Sequence, residues 1–288
     1  MRKIFMIVFV VVTGACNSPL RNVSNQASIA NPAFEKYRYS GDGSCIVSGH
    51  RGGVEFPENS IEGFSHVLEN MPAFFEIDPR MTKDSVIVLL HDATLDRTTT
   101  GVGKLKDYTW AELQETVRLK AHDGTPTEYK IPRIEDVIAW AKGKTIINLD
   151  KKDVPLAVTA ALITRLKAED RVMVTVHTGA QARFYYDRIP TIMMSVFCTT
   201  RNEFEDFLIS GVPPDNVIAY VGPSINSDNR YIVERLHKMG IRCMISLAPT
   251  HDRLATPEER QEKYLMELAA KPDIIETDRP VELGKVLH

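Results

Sequence analysis

Eight short runs of apolar, β-rich residues recur along this chain, and a helical pattern fits most of the gaps between them. The runs lie near 45–49, 74–78, 145–149, 171–176, 192–197, 216–221, 241–246 and 273–276. Apolar residues at helical spacing fill 59–70, 134–141, 154–167, 180–187, 201–210, 228–239 and 258–270, and Gly240 closes one of these as a helix stop. Strands separated by helices pair in parallel, because a parallel connection must cross back over the sheet. Eight such strands predict an α/β fold, a closed (β/α)8 TIM barrel whose reactive face is the C-terminal end of the strands.

One strand is surplus. Phe74-Phe-Glu-Ile-Asp-Pro-Arg-Met81 is followed by Thr82-Lys-Asp-Ser85 and then by Val86-Ile-Val-Leu-Leu90. That turn is too short for a crossover, so the two runs are expected to pair antiparallel. The barrel then carries a β-hairpin extension after strand 2, and folding back brings His91 beside Glu76 and Asp78.

Charged residues gather at the predicted strand ends. His50 and Arg51 end the first strand, in HRGGVEFPENS, and Glu76 and Asp78 end the second. The hairpin returns His91 and Asp92, and Asn148, Asp150 and Lys152 end the third, in INLDKK. Glu76 and Asp78 flank the apolar Ile77, so both carboxylates share the inward face of one strand. Charges there must be paired or bind a metal. Two carboxylates with a third across the barrel favour one hard divalent cation, Mg2+ or Ca2+, over zinc. Glu58 places a further carboxylate in the first turn, available to orient His50 and Arg51. His177 ends the fourth strand at the edge of the expected pocket, while His66, His122, His237 and His251 fall in helix or loop contexts and read as structural.

A net charge of −3, with no block of like charge, gives no reason to expect a nucleic-acid partner. Cys45, Cys198 and Cys243 lie in or beside apolar runs without zinc or disulfide spacing, and read as small core residues. The N-terminus carries Arg2 and Lys3, an apolar run from Ile4 to Val12, and Thr13-Gly-Ala-Cys16. This is the pattern of a secretory signal, and small residues before a cysteine resemble a bacterial lipobox. The expected organisation is a signal peptide over 1–15, a lipidated N-terminus and tether over 16–44, and a barrel domain over 45–288. The protein is then exported and lipid-anchored to a bacterial membrane through Cys16, with the periplasm the expected side.

HRGGVEFPENS, FEIDPRMTKDSVIVLLHDATLDRTTTGVG, INLDKK and the C-terminal DIIETDRP together resemble the glycerophosphodiester phosphodiesterases, over about residues 45 to 285. The resemblance implies a TIM barrel, a divalent metal, and hydrolysis of a small-molecule glycerophosphodiester to an alcohol and sn-glycerol 3-phosphate. Carried over residue by residue, it makes His50 and His91 the general acid/base pair and Glu76, Asp78 and Asp150 the metal ligands. Arg51 becomes a phosphate contact. Apart from the resemblance, Lys152 is placed either to neutralise phosphate or to balance the carboxylates. Two imidazoles suit a phosphodiester, where one proton leaves the attacking oxygen and another reaches the departing alkoxide. The chain departs from the family at Asp150, where Glu is usual, and at Arg242-Cys-Met-Ile-Ser246, where the family often has Trp-Thr-Val-Asn. Competing readings are a phosphoinositide-specific phospholipase-like enzyme and a catalytically inactive binding lipoprotein. No predicted rim of exposed aromatics supports the first, and no lost histidine or carboxylate supports the second.

Overall fold

The structure, a computed structural model, describes residues 29–287. The expected signal peptide and Cys16 lie outside the described residues. The strands in chain order are β1 (Ile46–His50), β2 (Phe74–Ile77), β3 (Pro79–Met81), β4 (Ile87–Leu89), β5 (Ile147–Leu149), β6 (Val172–Val176), β7 (Met193–Phe197), β8 (Val217–Gly222), β9 (Arg242–Ser246) and β10 (Ile274–Thr277). Eight of them close a barrel in the order β1-β10-β9-β8-β7-β6-β5-β2, and β3 and β4 form a separate antiparallel pair. Helices α1 (Ile61–Asn70), α2 (Trp110–Thr116), α3 (Ile134–Ala141), α4 (Leu156–Leu166), α5 (Gly179–Tyr186), α6 (Arg201–Ile209), α7 (Arg230–Lys238), α8 (Pro257–Ala269) and α9 (Pro280–Leu287) complete the chain. Reciprocal side-chain caps start several of them, as at Thr200 with Glu203 and Thr256 with Glu259, fixing where each strand-to-helix loop ends.

The TIM barrel and its hairpin are both present, but the hairpin starts later than the apolar run suggests. The sequence suggests that all of Phe74–Met81 pairs with Val86–Leu90; the chain instead divides that run at Asp78. Phe74–Ile77 is wholly buried and pairs in parallel with β1 and β5. Pro79 has no N–H for a central barrel ladder, so the chain turns out of the barrel there and pairs with β4. β4 and the residues beyond it form a small lobe with its own apolar centre of Val88, Leu90, Leu95, Leu105, Leu113 and Leu119.

Along each barrel strand, alternate side chains point inward. The lower inward layer is apolar: Phe74, Ile146, Met173, Met193, Ile218, Met244 and Ile274 pack in one cluster. The layer above it is polar throughout, with Ser48, Glu76, Asn148, Thr175, Ser195, Tyr220, Ser246 and Glu276 at successive strand positions. A barrel centre that changes from oil to hydrogen-bonding groups within one layer marks where water and substrate are admitted.

The segment expected to be a tether up to residue 44 belongs in part to the folded body. Phe34 and Tyr37, in a short 3-10 turn over Pro32–Tyr37, are 1% exposed and join the lower barrel layer. The Tyr37 ring meets Phe74 edge-on at 5.5 Å. Asn31 fixes the approach, its side chain donating to the backbone oxygens of Glu169 (2.6 Å) and Thr191 (3.0 Å). The composition of this stretch looks like a linker, yet two aromatics suffice to close the barrel floor. Phe34→Ala should therefore cost about 3–5 kcal/mol of unfolding free energy, the range for truncating a buried ring. A urea midpoint equal to that of the parent protein would show that the segment merely rests on the barrel.

Candidate active site

The first strand ends in a turn built from backbone conformations that side chains seldom adopt. Arg51, Gly52 and Gly53 all have positive φ, at 55°, 90° and 88°. A Cβ on Gly52 would lie 2.9 Å from the Phe64 ring, and one on Gly53 would meet Pro280 at 3.0 Å. Two glycines are therefore required by space as well as by φ. Arg51 accepts the same backbone strain, and hydrogen bonds hold it: its N–H donates to the Glu76 oxygen (3.0 Å), and its own oxygen accepts from the Asn59 N–H (2.7 Å). The turn thereby places His50 and Arg51 over the end of β2.

Glu76, Asp78 and Asp150 each offer an oxygen, and these atoms lie within 4.8 Å of one another. Glu76 is 7% exposed and Asp78 is 1% exposed. Burial, followed by the charge of Asp78, pushes the Glu76 carboxyl well above its ordinary range. Lys152 Nζ lies 2.5 Å from Asp150 and 3.0 Å from Asp78, and Arg51 Nε lies 3.2 Å from the other Asp78 oxygen. Burial works to raise the Asp150 carboxyl, but His177 and Lys152 outweigh it and hold it below the ordinary range. Glu76 Oε2 is buried with no hydrogen-bond partner among the described residues. Three clustered carboxylates, two of them (Glu76 at Oε2 and Asp78 at Oδ1) with a buried oxygen that accepts no hydrogen bond among the described residues, fit a divalent cation with oxygen ligands.

His50 Nδ1 sits 2.6 Å from Asp278 Oδ1, while its Nε2 faces Glu76 Oε2 at 3.7 Å. Burial opposes charge on this imidazole, yet the Asp278 hydrogen bond and the Glu76 and Glu276 carboxylates push it up to about 10. His91 is set on the same rim, since the N–H of its neighbour Leu90 donates to the Asp78 oxygen at 2.9 Å. Its Nδ1 pairs with Asp92 at 2.7 Å. Arg97 then bridges Asp92 to Glu58, donating to both oxygens of Glu58 at 2.9 Å.

His50, Arg51, Glu76, Asp78, Asp150 and Lys152 are thus brought into one contact network, and His91 reaches it through Asp92, Arg97 and Glu58. Glu58 does not orient His50; it holds Arg97 and approaches Arg51 at 3.6 Å, and Asp278 is the histidine's partner. Asp278 stands inside the DIIETDRP motif, but no local sequence pattern pairs it with His50. Asn59 was missed as well: its amide donates to Asp78 Oδ2 at 2.7 Å and accepts from the Asp78 N–H at 3.1 Å. Glu276 also faces the site from β10, where burial raises its carboxyl. Its place in period-2 alternation with Ile274 was the available signal. The His177 ring lies tilted beside Phe197, with centroids 4.1 Å apart, and its Nε2 is 3.8 Å from Asp150, so it touches the cluster from outside the cavity lining.

Beneath these groups a cavity of about 230 Å3 is lined by Glu76, Asn148, Thr175, Ser195, Tyr220 and Glu276, among others. Ser195 Oγ there is buried without a partner among the described residues. A polar cavity under three clustered carboxylates, with an imidazole on its rim, can hold a hydroxylated phosphoester and exchange protons with it.

Comparison with known proteins is consistent with that chemistry. A family model described as the glycerophosphoryl diester phosphodiesterase family matches residues 50–187. The crystal structure of a glycerophosphoryl diester phosphodiesterase from Parabacteroides distasonis is similar at 50% identity and TM-score 0.86, covering 88% of this chain and 90% of that one. A Bacillus altitudinis glycerophosphodiester phosphodiesterase is 28% identical over 177 residues, 58% of this chain and 72% of that protein. An Oleispira antarctica phosphodiesterase, solved with the product sn-glycerol-3-phosphate, shares the fold at 17% identity and TM-score 0.63, covering 84% and 96% of the two chains.

Proposed function

Because this chain belongs to the glycerophosphoryl diester phosphodiesterase family, we propose that it hydrolyses a glycerophosphodiester to an alcohol and sn-glycerol 3-phosphate. The observation that carries this is the meeting of Glu76, Asp78 and Asp150 within 4.8 Å, directly beneath His50 and Arg51. Those three carboxylates would hold one divalent cation, Mg2+ or Ca2+. When bound, such an ion supplies positive charge to the non-bridging oxygens of the phosphate.

The chain's own groups do the rest. Arg51, held between Asp78 and Glu58, keeps its outer guanidinium edge toward the groove, where it can meet a phosphate oxygen. Asp278 fixes His50 through Nδ1, so that a proton is carried at Nε2, the nitrogen facing the carboxylates. Asp92 holds the His91 ring through its Nδ1. One imidazole takes the proton of the attacking oxygen and the other supplies the leaving alkoxide. Lys152 balances Asp78 and Asp150 from below and stays in reach of the phosphate charge.

Chelation provides the test. EDTA should abolish release of sn-glycerol 3-phosphate from glycerophosphoinositol, glycerophosphocholine and glycerophosphoethanolamine, and Mg2+ or Ca2+ should restore it where Zn2+ does not, since every ligand is a hard oxygen. Undiminished turnover in protein verified free of metal would remove the cation from the mechanism.

A further inference from the structure

The site opens into a groove of about 760 Å3 whose lining comes from the β1 turn, from residues 97–124 of the small lobe, and from the loops after β9 and β10. Every carboxylate in that lining is already engaged. Glu58 is held by Arg97, and Asp278 is bonded to His50. Asp252 accepts from the Tyr264 hydroxyl (2.5 Å), the Thr277 hydroxyl (2.8 Å) and the Asp278 N–H (2.6 Å).

Two cations in the lining are not engaged in this way. Lys120 Nζ donates to the backbone oxygen of Asp96 at 2.9 Å and is ion-paired with no carboxylate among the described residues. Arg253 has neither a side-chain hydrogen bond nor an ion pair among the described residues. His122, which the sequence presents as an ordinary loop histidine, lines the same groove and adds a donor. A cationic alcohol such as choline would need a free carboxylate or an aromatic cage. Among the described residues the one Phe, Tyr or Trp in the lining is Phe56, whose ring packs against His66 and Tyr129, with centroids 5.0 and 6.0 Å away.

Resting on the phosphodiesterase reading above, we propose that this groove receives the alcohol part of the substrate and is built for an alcohol with a second anionic group, a phosphorylated polyol. Lys120 and Arg253 contact that second phosphate. They come from separate loops, so an anion between them satisfies two cations that the fold itself leaves unpaired.

Glycerophosphoinositol and glycerophosphoinositol 4-phosphate differ only in that second phosphate, and glycerophosphocholine supplies the opposite charge. In the intact enzyme kcat/KM should be about tenfold or more higher for the phosphorylated substrate than for glycerophosphoinositol, the worth of a charge-assisted contact. Glycerophosphocholine should be the poorest of the three. In Lys120→Ala/Arg253→Ala the ratio of phosphorylated to plain substrate should fall to near one, and added NaCl should erode the same ratio in the parent. Taking the ratio within each protein cancels any general loss of fold or activity. A ratio near one in the parent, or a ratio the double variant leaves unchanged, overturns the proposal while leaving the phosphodiesterase reading intact. If no substrate releases sn-glycerol 3-phosphate, both readings fall together.

Discussion

Replacing His50 with alanine is expected to lower turnover by about two to four orders of magnitude, the usual contribution of a positioned acid or base. Its placement gives the reason. One ring nitrogen is committed to Asp278 at 2.6 Å, so the other is presented to the carboxylate cluster in a fixed tautomer. Alanine removes the proton carrier that Asp278 orients. Asp278→Asn should keep the ring in place but weaken its hold on the proton, with a loss of roughly 10–100-fold borne by kcat while KM stays near that of the parent. The pH profile of kcat should shift as well, which a purely structural aspartate would not cause. His91→Ala belongs in the His50 range. Steady-state assays on a glycerophosphodiester, with thermal melts to confirm folding, decide the matter. A folded His50→Ala enzyme within tenfold of the parent would mean that another group carries the proton.

The barrel was readable because parallel strands buried on both faces are continuous apolar runs, and eight of these recur with helical spacers. The cluster at its mouth was readable for a related reason. Glu76 and Asp78 interrupt such a run at inward positions, where a charge has no business unless it works. What could not be read were contacts between distant segments. Asp278 reaches His50 across 228 residues, and its partnership depends on β1 and β10 being neighbours, which closure of the barrel decides. Asn59 reads Asp78 from a left-handed turn whose φ of 60° no local pattern announces. The floor aromatics Phe34 and Tyr37 sit in a stretch whose composition is that of a linker, and only the open lower end of the barrel makes them core. His237, Cys243 and Asp273 show the converse. They meet in space, with His237 Nε2 2.7 Å from Asp273 and the Cys243 N–H donating to the same carboxylate oxygen at 2.8 Å. Those two contacts on one Asp273 oxygen tie α7 to the barrel.

The largest effect on metal binding should fall at Glu76, and Asp150 should matter less. A carboxylate ligates well when its oxygens have nothing else to do. Glu76 Oε2 is buried without a hydrogen bond among the described residues, and like charges around it make any added cation welcome. Asp150 is one methylene shorter than the glutamate usual in the family, and both its oxygens are engaged: one lies 2.5 Å from Lys152 Nζ, the other 3.8 Å from His177 Nε2. To ligate fully it would have to surrender an ion pair inside the barrel mouth, at a cost comparable to the gain. Glu76→Ala should therefore weaken Ca2+ or Mg2+ affinity by about 100-fold or more, while Asp150→Ala should weaken it by about tenfold or less. Asp150→Glu should remain active, since the longer arm reaches the same centre from the same rigid strand. Ca2+, with longer and more adaptable ligand distances, should tolerate Asp150→Ala better than Mg2+ does. Calorimetric titration of both ions into the three variants measures this directly. Equal losses for Glu76→Ala and Asp150→Ala would make Asp150 a full ligand, and Lys152 and His177 would then have to release it whenever the ion binds.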